Sequence, residues 1–252
     1  MKTLRTLTIA GLWFLVAIPA RADDAAEAKA IIEKAIKAAG GEAKLAKFPV
    51  IQRKGKGTFQ LDDEKAEISY ESVLQDLDKV RLVLEADISG STTKTILVYS
   101  GDKGWVNGGG EATELPTAGV NVFPKEDYRN IRLAELLTPL RSKEYTLSPL
   151  GEIKVDGLPA VGVKIAQKDH ADYDLFFDKE SGLPVKGQTG IKEMPDSTDV
   201  AREYFFGGYK EVDGLKCLTK LKIARNGKRF VDVEWSEIKP LEKTDAGTFD
   251  KP

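Results

Sequence analysis

The chain has 252 residues with a single cysteine, a single histidine and a formal charge of −2, and its 38 basic and 40 acidic residues are interspersed rather than blocked. That mixture excludes a basic face built to neutralise phosphates, so nucleic acid is not an expected partner, and a lone cysteine excludes an intrachain disulfide. A chain of this length can bury a full core, and an all-β sheet of this size is still one domain.

The first segment reads as a leader. Lys2 and Arg5 precede an apolar run from Leu7 to Ile18, and Ala20-Arg21-Ala22 gives a small-x-small cleavage site ahead of Asp23-Asp24, the layout of a secretory signal peptide. The run is too short for a transmembrane helix, and no later stretch reaches that length. Residues 1–22 are therefore expected to be removed after Ala22 with no lipid attached, leaving 23–252 as one soluble domain, periplasmic or secreted. Loss of Lys2, Arg5 and Arg21 moves the formal charge from −2 to −5.

The segment that follows predicts a helix near 24–39, because Ala28, Ile31, Ile32, Ala35, Ile36 and Ala39 recur at helical spacing and Gly40-Gly41 supplies the stop. After Pro49 the texture changes to alternation. Val80, Leu82, Leu84, Ala86 and Ile88 share one side of a strand and Arg81, Glu85 and Asp87 the other, the pattern of a sheet with one buried face. From Glu126 to Leu140 the period returns to helical, with Leu133, Leu136, Leu137 and Leu140 at i, i+3, i+4 and i+7. Beyond it, Asp156-Gly157, Asp213-Gly214 and Asn226-Gly227 are dipeptides that accept the positive φ of type I′ hairpin turns. Between them run Val161/Val163/Ile165, Tyr173/Leu175/Phe177, Leu215/Cys217/Thr219/Leu221/Ile223 and Val231/Val233/Trp235, each on a period of two. A mainly β (α+β) fold follows, a consecutive antiparallel meander that carries two amphipathic helices.

The sequence carries none of the familiar motifs of catalysis or metal binding. His170 stands alone in a loop between two strands, without a Gly-x-Ser-x-Gly elbow or a His/Cys cluster of zinc-ligand spacing. Cys217 shares a face with Leu215 and Leu221 and reads as a small buried apolar residue. The glycines from Gly104 to Gly110 lack the Lys-Ser/Thr ending of a phosphate loop and read as a hairpin loop. Asp62-Asp63-Glu64 and the run from Asp169 to Asp174 lack calcium-loop spacing. No catalytic residue, metal site or cofactor is expected. What the chain does offer is apolar surface on a one-sided sheet that curls under its own twist. Helices laid on its concave side either fill it or leave a slot, and the candidate lining is Phe59, Leu82, Leu84, Trp105, Leu133, Leu137, Phe177, Phe205 and Trp235.

Several segments resemble a known family. Gly40-Gly41-Glu42-Ala43-Lys44-Leu45, Gly55-Lys56-Gly57-Thr58-Phe59, Gly101-Asp102-Lys103-Gly104-Trp105 and the run from Phe177 to Val185 are similar to segments of the LolA-like proteins, the outer-membrane lipoprotein-sorting carriers. The run from Tyr209 to Lys216 and the ending Thr248-Phe249-Asp250-Lys251-Pro252 resemble the same group, so the pieces span nearly all of 23–252 in order. The resemblance implies an unclosed half-barrel of about eleven antiparallel strands, with helices on its concave face and an apolar cavity that holds acyl chains. It also implies a cavity arginine, for which Arg53 and Arg81 are the candidates, Arg81 facing away from Val80 and Leu82.

Two functions are expected from this. The first is a non-catalytic extracytoplasmic carrier or binder of lipid or lipoprotein acyl chains, held by burial of hydrocarbon at about 0.8 kcal/mol per CH₂. The alternative is an envelope sensor or interaction module that uses the same half-barrel to hold a protein or peptide.

Overall fold

A computed structural model describes residues 20–61, 64–88, 90–115, 119–120, 123–193 and 198–252. The expected leader lies outside the described residues except for its last three, which begin the first helix, α1 (Ala20–Ala39). Asp62 and Asp63 of the first acidic run also lie outside them.

Helix α1 ends where its sequence says it should. Gly40 and Gly41 take φ of 126° and 85°, Gly41 N–H reaches the Ile36 carbonyl at 2.9 Å and Gly40 N–H the Lys37 carbonyl at 3.3 Å, the paired bonds of a Schellman cap. A second, short helix, α2 (Glu42–Lys47), follows. The chain then lays down β1 (Val50–Leu61), β2 (Glu64–Gln75), β3 (Lys79–Ile88), β4 (Ser91–Ser100), β5 (Lys103–Asn107) and β6 (Thr113–Glu114) as successive neighbours. A two-strand ribbon, β7 (Gly119–Val120) with β8 (Phe123–Pro124), leads into α3 (Lys125–Leu136) and a 3₁₀ turn over Thr138–Arg141. A second meander follows: β9 (Tyr145–Val155), β10 (Leu158–Gln167), β11 (Tyr173–Asp178), β12 (Pro184–Glu193) and β13 (Thr198–Gly207). After a small hairpin of β14 (Lys210–Val212) and β15 (Leu215–Cys217), β16 (Lys220–Arg225) pairs with β13, and β17 (Lys228–Leu241) pairs with both β16 and β1.

The result is one thirteen-stranded antiparallel sheet in the order β6-β5-β4-β3-β2-β1-β17-β16-β13-β12-β11-β10-β9, not closed into a barrel. The count exceeds the eleven or so that the family resemblance implies. The meander is also not consecutive throughout. Its two halves are joined by the β1–β17 seam, which sets residues as distant in sequence as Val50 and Leu241 opposite each other. The run from Leu215 to Ile223 is not one strand, because the chain crosses at Leu218-Thr219 from the β14–β15 hairpin into the main sheet. That hairpin instead covers the end of α1, where a Cβ on Gly40 would stand 2.4 Å from the Gly214 carbonyl oxygen.

The three dipeptide turns form as the sequence indicates, with positive φ at both central residues: 48° and 83° at Asp156-Gly157, 52° and 81° at Asp213-Gly214, 50° and 74° at Asn226-Gly227. On β3, Val80, Leu82, Leu84 and Ala86 are all buried while Glu85 and Asp87 are exposed, so the one-sided pattern is realised. These inward residues join those of β2, β4, β10, β11, β13, β16 and β17, together with both long helices, in one continuous core. A second, smaller cluster of Val155, Ala160 and Phe176 lies on the outer face.

The helix expected over 126–140 stops at Leu136. Leu137 takes φ 58° and ψ −39°, a left-handed conformation that a bulky residue rarely adopts, and Pro139 then lies within the 3₁₀ turn. The two sheet edges are unlike each other. Strand β6 has two residues, whereas β9 has eleven, with Pro149 in its middle, Gly151 at φ 76° and a register shift opposite Gly162/Val163.

Candidate functional site

The site is the concave trough, and its state is set by α3. Of the twelve residues of this helix, Asp127 to Ala134 are all buried, as is Leu136. An amphipathic helix exposes its polar side. This one instead inserts Asp127, Arg129, Asn130 and Arg132 into the protein along with Tyr128, Ile131 and Leu133.

What remains of the trough is small. One cavity of about 50 Å³ is bounded by Phe59 on β1, Ile68 and Tyr70 on β2, Leu84 on β3, Leu221 and Ile223 on β16, Val233 and Trp235 on β17, and Asp127, Tyr128 and Ile131 on α3. A shift of register between Ile223 and Ala224 skips Phe230, and Phe230 and Val231 consequently both line this cavity. A second cavity of about 40 Å³ lies towards α1 and α2, bounded by Leu45, Ile51, Arg53, Arg132, Glu135 and Cys217 among others. Ligand pockets for molecules of drug size run to roughly 300–1,000 Å³, and a water needs about 10–15 Å³. These spaces therefore hold a few waters at most, and an acyl chain enters the trough only if α3 leaves it. The slot imagined between helix and sheet is filled here by the helix itself.

Two ion pairs tie α3 to the sheet. Arg53, on β1 at the same strand parity as Ile51 and Phe59, is 3% exposed and gives Nη2 to Glu135 Oε1. Arg132 Nη1 holds the other Glu135 oxygen at 2.8 Å, while its Nη2 and Nε reach the Pro49 and Asp76 carbonyls at 2.9 and 3.1 Å. Burial alone raises the pKa of Glu135, but Arg53 and Arg132 outweigh it and the carboxyl is held below its usual range. At the other end of the helix, Arg202 on β13 is fully buried, with Nε 3.5 Å from Asp127 Oδ2. The other Asp127 oxygen accepts a 2.5 Å hydrogen bond from Tyr204 Oη. Burial, and after it Asp127, push the Tyr204 phenol well above 10, so it stays a donor.

Each arginine also lies against an aromatic ring of β17. The Arg53 guanidinium is 4.5 Å from the Trp235 ring centre and that of Arg202 is 4.5 Å from the Phe230 ring centre, within range for a cation–π contact. Arg53 borders the smaller cavity and the ring beneath it borders the larger. The polar end of the trough continues through Tyr173, whose ring meets Tyr204 edge-on at 6.0 Å. A Cβ on Gly187 would lie 2.2 Å from Tyr173 Oη, so only glycine leaves that ring its place.

Of the residues proposed from sequence, Phe59, Leu84 and Trp235 line the larger cavity. Leu82, Leu133, Leu137 and Phe177 lie in the same concave core, each at most 1% exposed. Trp105 and Phe205 are elsewhere. Trp105 pairs with Val98 while its neighbour Val106 pairs with the core residue Leu97. Phe205 likewise alternates with the inward Tyr204 and Phe206, and Lys186 Nζ lies 5.5 Å from its ring centre. Both therefore face outward. Of the two candidate arginines Arg53 is inside, and Arg81 borders an outer polar cleft with Glu71, Glu85 and Lys94.

Sequence reasoning passed over Arg202, Asp127 and Tyr204. The signal was present in the strand, because Arg202 falls at the parity of Val200, Tyr204 and Phe206, where an inward residue is due. Cys217 is buried, and burial pushes its thiol up to about 11, so it is protonated at neutral pH. His170 Nδ1 lies 3.1 Å from Glu126 on the rim. The glycine run after Trp105 is closed by Asn107, which accepts from Gly109 N–H and donates to the Gly110 carbonyl. Among the described residues no three His, Cys, Asp or Glu side chains gather as a metal site, and no helix is long and apolar enough to cross a membrane.

No family model and no curated protein matches the chain. Solved structures do. A LolA superfamily protein from Nitrosomonas europaea superposes with a TM-score of 0.58 at 13% identity, covering 89% of this chain and 97% of the other. The fold is LolA-like. An outer membrane lipoprotein-sorting protein domain from Vibrio parahaemolyticus gives 0.57 at 12% identity over 90% and 97%. A DUF1329 family protein from Desulfovibrio piger gives 0.56 at 15% over 87% and 94%. At identities this low the likeness shows the LolA-like architecture alone, and the function has to come from the trough.

Proposed function

We propose that the protein is an extracytoplasmic, non-catalytic carrier or binder of lipid or lipoprotein acyl chains. The observation that carries this reading is α3, a helix buried almost all round in an open, apolar sheet, with bulky Leu137 in a left-handed conformation where it ends. A helix that belonged only to the core has no need of charged residues inside it, since apolar replacements of buried ion pairs are often neutral or stabilising. A helix that must enter and leave does, because polar ties between helix and wall can be exchanged for water. The wall it would uncover, from Ile68 and Leu84 round to Leu221 and Val233, is apolar and continuous. Hydrocarbon laid there gains about 0.8 kcal/mol per CH₂. The likeness to an outer membrane lipoprotein-sorting domain supports the same reading, and export is the address on which it depends.

Protein purified from its native compartment should yield acyl species on solvent extraction, at near one per chain by mass spectrometry. A lipid-free protein that crosslinks tightly to one envelope protein would replace this reading with the sensor alternative. His170→Ala and Cys217→Ser should both keep acyl loading, and loss of loading in either variant with its fold intact would overturn the non-catalytic reading.

A further inference from the structure

We propose that the outer face of the sheet between β9 and β16 docks a second copy of this chain, the two related by a two-fold axis. This face lies on the side of the sheet away from the trough, so the pairing is independent of what the trough carries. The outward face of an antiparallel sheet is ordinarily polar. It is so at the other end of this sheet, where Arg81 shares a cleft with Glu71, Glu85 and Lys94, and Lys94 holds Glu85 at 3.1 Å. Over β9 to β12 the outward side instead packs Val155, Ala160 and Phe176 into an apolar cluster, with Val185 against it. Beside that cluster Leu158 is 62% exposed, the one large apolar side chain so exposed among the described residues.

Two clefts of about 550 and 430 Å³ open on this face, and both are bounded by Leu158, Asp178, Val185 and Phe206, so they form one depression. Across the strands its border runs from Asp156 in the β9–β10 turn through Leu158 on β10, Val185 on β12 and Phe205 on β13 to Lys222 on β16. From β10 to β16 is four strand spacings, about 19 Å. Most charges here are satisfied within the chain. Asp178 accepts from Ser181 N–H and Oγ at 2.7 Å, Lys186 holds Glu203 at 2.7 Å, Lys220 holds Glu234 at 3.3 Å, and Lys179 holds Glu152. Among the described residues Asp156 and Lys222, at opposite ends of the row, have no ion pair, and neither has Glu180 in the β11–β12 turn. A surface with an acid at one end, a base at the other and apolar residues between is complementary to itself when turned through a half-circle. An axis standing on Val185 sets Asp156 of each copy against Lys222 of the other and carries each Leu158 into the opposite depression. That is an isologous interface, in which one patch serves as both halves, and the knob and the hollow it needs are both in this patch. An unlike partner would have to present the same charges in reverse order, which a second copy does by symmetry.

Sedimentation equilibrium of the full mature chain at neutral pH and low salt should show a monomer–dimer equilibrium with a dissociation constant of about 10 μM, weakening as salt is added. Leu158→Asp should weaken association by about tenfold or more and leave the urea midpoint of the monomer unchanged, since that side chain is exposed in the single copy. Asp156→Asn, which keeps a residue that accepts the positive φ of the turn, and Lys222→Gln should each weaken it severalfold. The double variant should lose less than the two effects combined, because both remove the same contact across the axis. Arg81→Gln, on the polar outer face, should leave association as it was. A chain still monomeric at about 100 μM would overturn the proposal. A dimer indifferent to Leu158→Asp, or one in which the effects of Asp156→Asn and Lys222→Gln simply add, would overturn it equally.

Discussion

The two long helices have opposite fates, and the less apolar one is the more deeply buried: α1 has twelve apolar residues in twenty, α3 five in twelve. Helix α1 is amphipathic in the ordinary sense: Ala28, Ile32, Ala35, Ile36 and Ala39 are buried, and Lys29, Glu33 and Lys37 point to solvent. Helix α3 is shorter and has scarcely any outer side. Its charged residues, which on any other helix would mark the wet face, are the ones that fasten it to β1 and β13. The first helix is held by apolar area, with exposed polar ties only from Glu33 to Arg141 and from Lys34 to the Lys179 carbonyl, and covers the β9–β10 end of the trough. The second is held by area plus a few specific ion pairs, which gives it a defined seat that specific changes can undo.

The comparison breaks most decisively at Leu137. Leu137→Glu puts an unpaired charge at a position with no exposure, and should lower stability by more than about 3 kcal/mol, read as the urea midpoint. Lys29→Glu on the outside of α1 should leave that midpoint where it was. If Leu137→Glu unfolds at the wild-type midpoint yet loses acyl uptake, the helix end is a loose lid and the packed description of α3 fails.

Next in size is the buried pair at the start of α3. Asp127→Ala leaves Arg202 without its helix carboxylate and Tyr204 without an acceptor, and should cost roughly 3–5 kcal/mol, as for other broken buried pairs. Tyr204→Phe removes only the hydrogen bond to this buried carboxylate and should cost about 1.5–3 kcal/mol. Equal losses in the two variants would mean that the charge contributes nothing to the seating of the helix.

Glu135 adds a dependence on pH. Its carboxyl is held below the usual value in the folded chain by Arg53 and Arg132, against the opposing effect of burial. A lowered folded pKa stabilises fully above the unfolded value of about 4.3 and is lost as pH falls through the folded one. Thermal melts at pH 7 and pH 3 should therefore differ more for the wild type than for Glu135→Gln. Parallel pH profiles would show that this carboxylate is not seated on its arginines.

The smallest effect belongs to the outer clamp. Arg141 contacts Glu33 at 2.6 and 2.7 Å and Glu42 at 2.8 Å, joining the 3₁₀ turn to α1 and α2 in exposed positions. Arg141→Ala should cost about 0.5 kcal/mol or less because solvent screens the pairs, with the loss disappearing in high salt.

Much of this molecule could be read before it was seen, and the limit of that reading is physical. The end of α1 at Gly40-Gly41, the inward face of β3 and the three I′ turns depend on interactions within a few residues, which local sequence encodes. The β1–β17 seam depends on pairing across almost the whole chain, and no local period announces it. The burial of Asp127, Arg132 and Arg202 is of the same kind, because a charge is paid for by a partner that sequence alone does not place nearby. Trp105 and Phe205 are large aromatics in strands, but strand parity sends them outward. For Arg202 that same parity was the better guide.

The unclosed sheet has a consequence for self-association. An open edge displays backbone donors and acceptors to any strand that passes and so is a ready template for aggregation. At one edge β6 is only two residues long. At the other, β9 is long enough to recruit a neighbour, but Pro149 removes a donor, the register shift opposite Gly162/Val163 breaks the spacing, and Glu152 and Lys154 bring charge to the remainder. Copies of this chain can therefore crowd together without zipping into a shared sheet, and the half-barrel stays open without becoming the seed of a fibre.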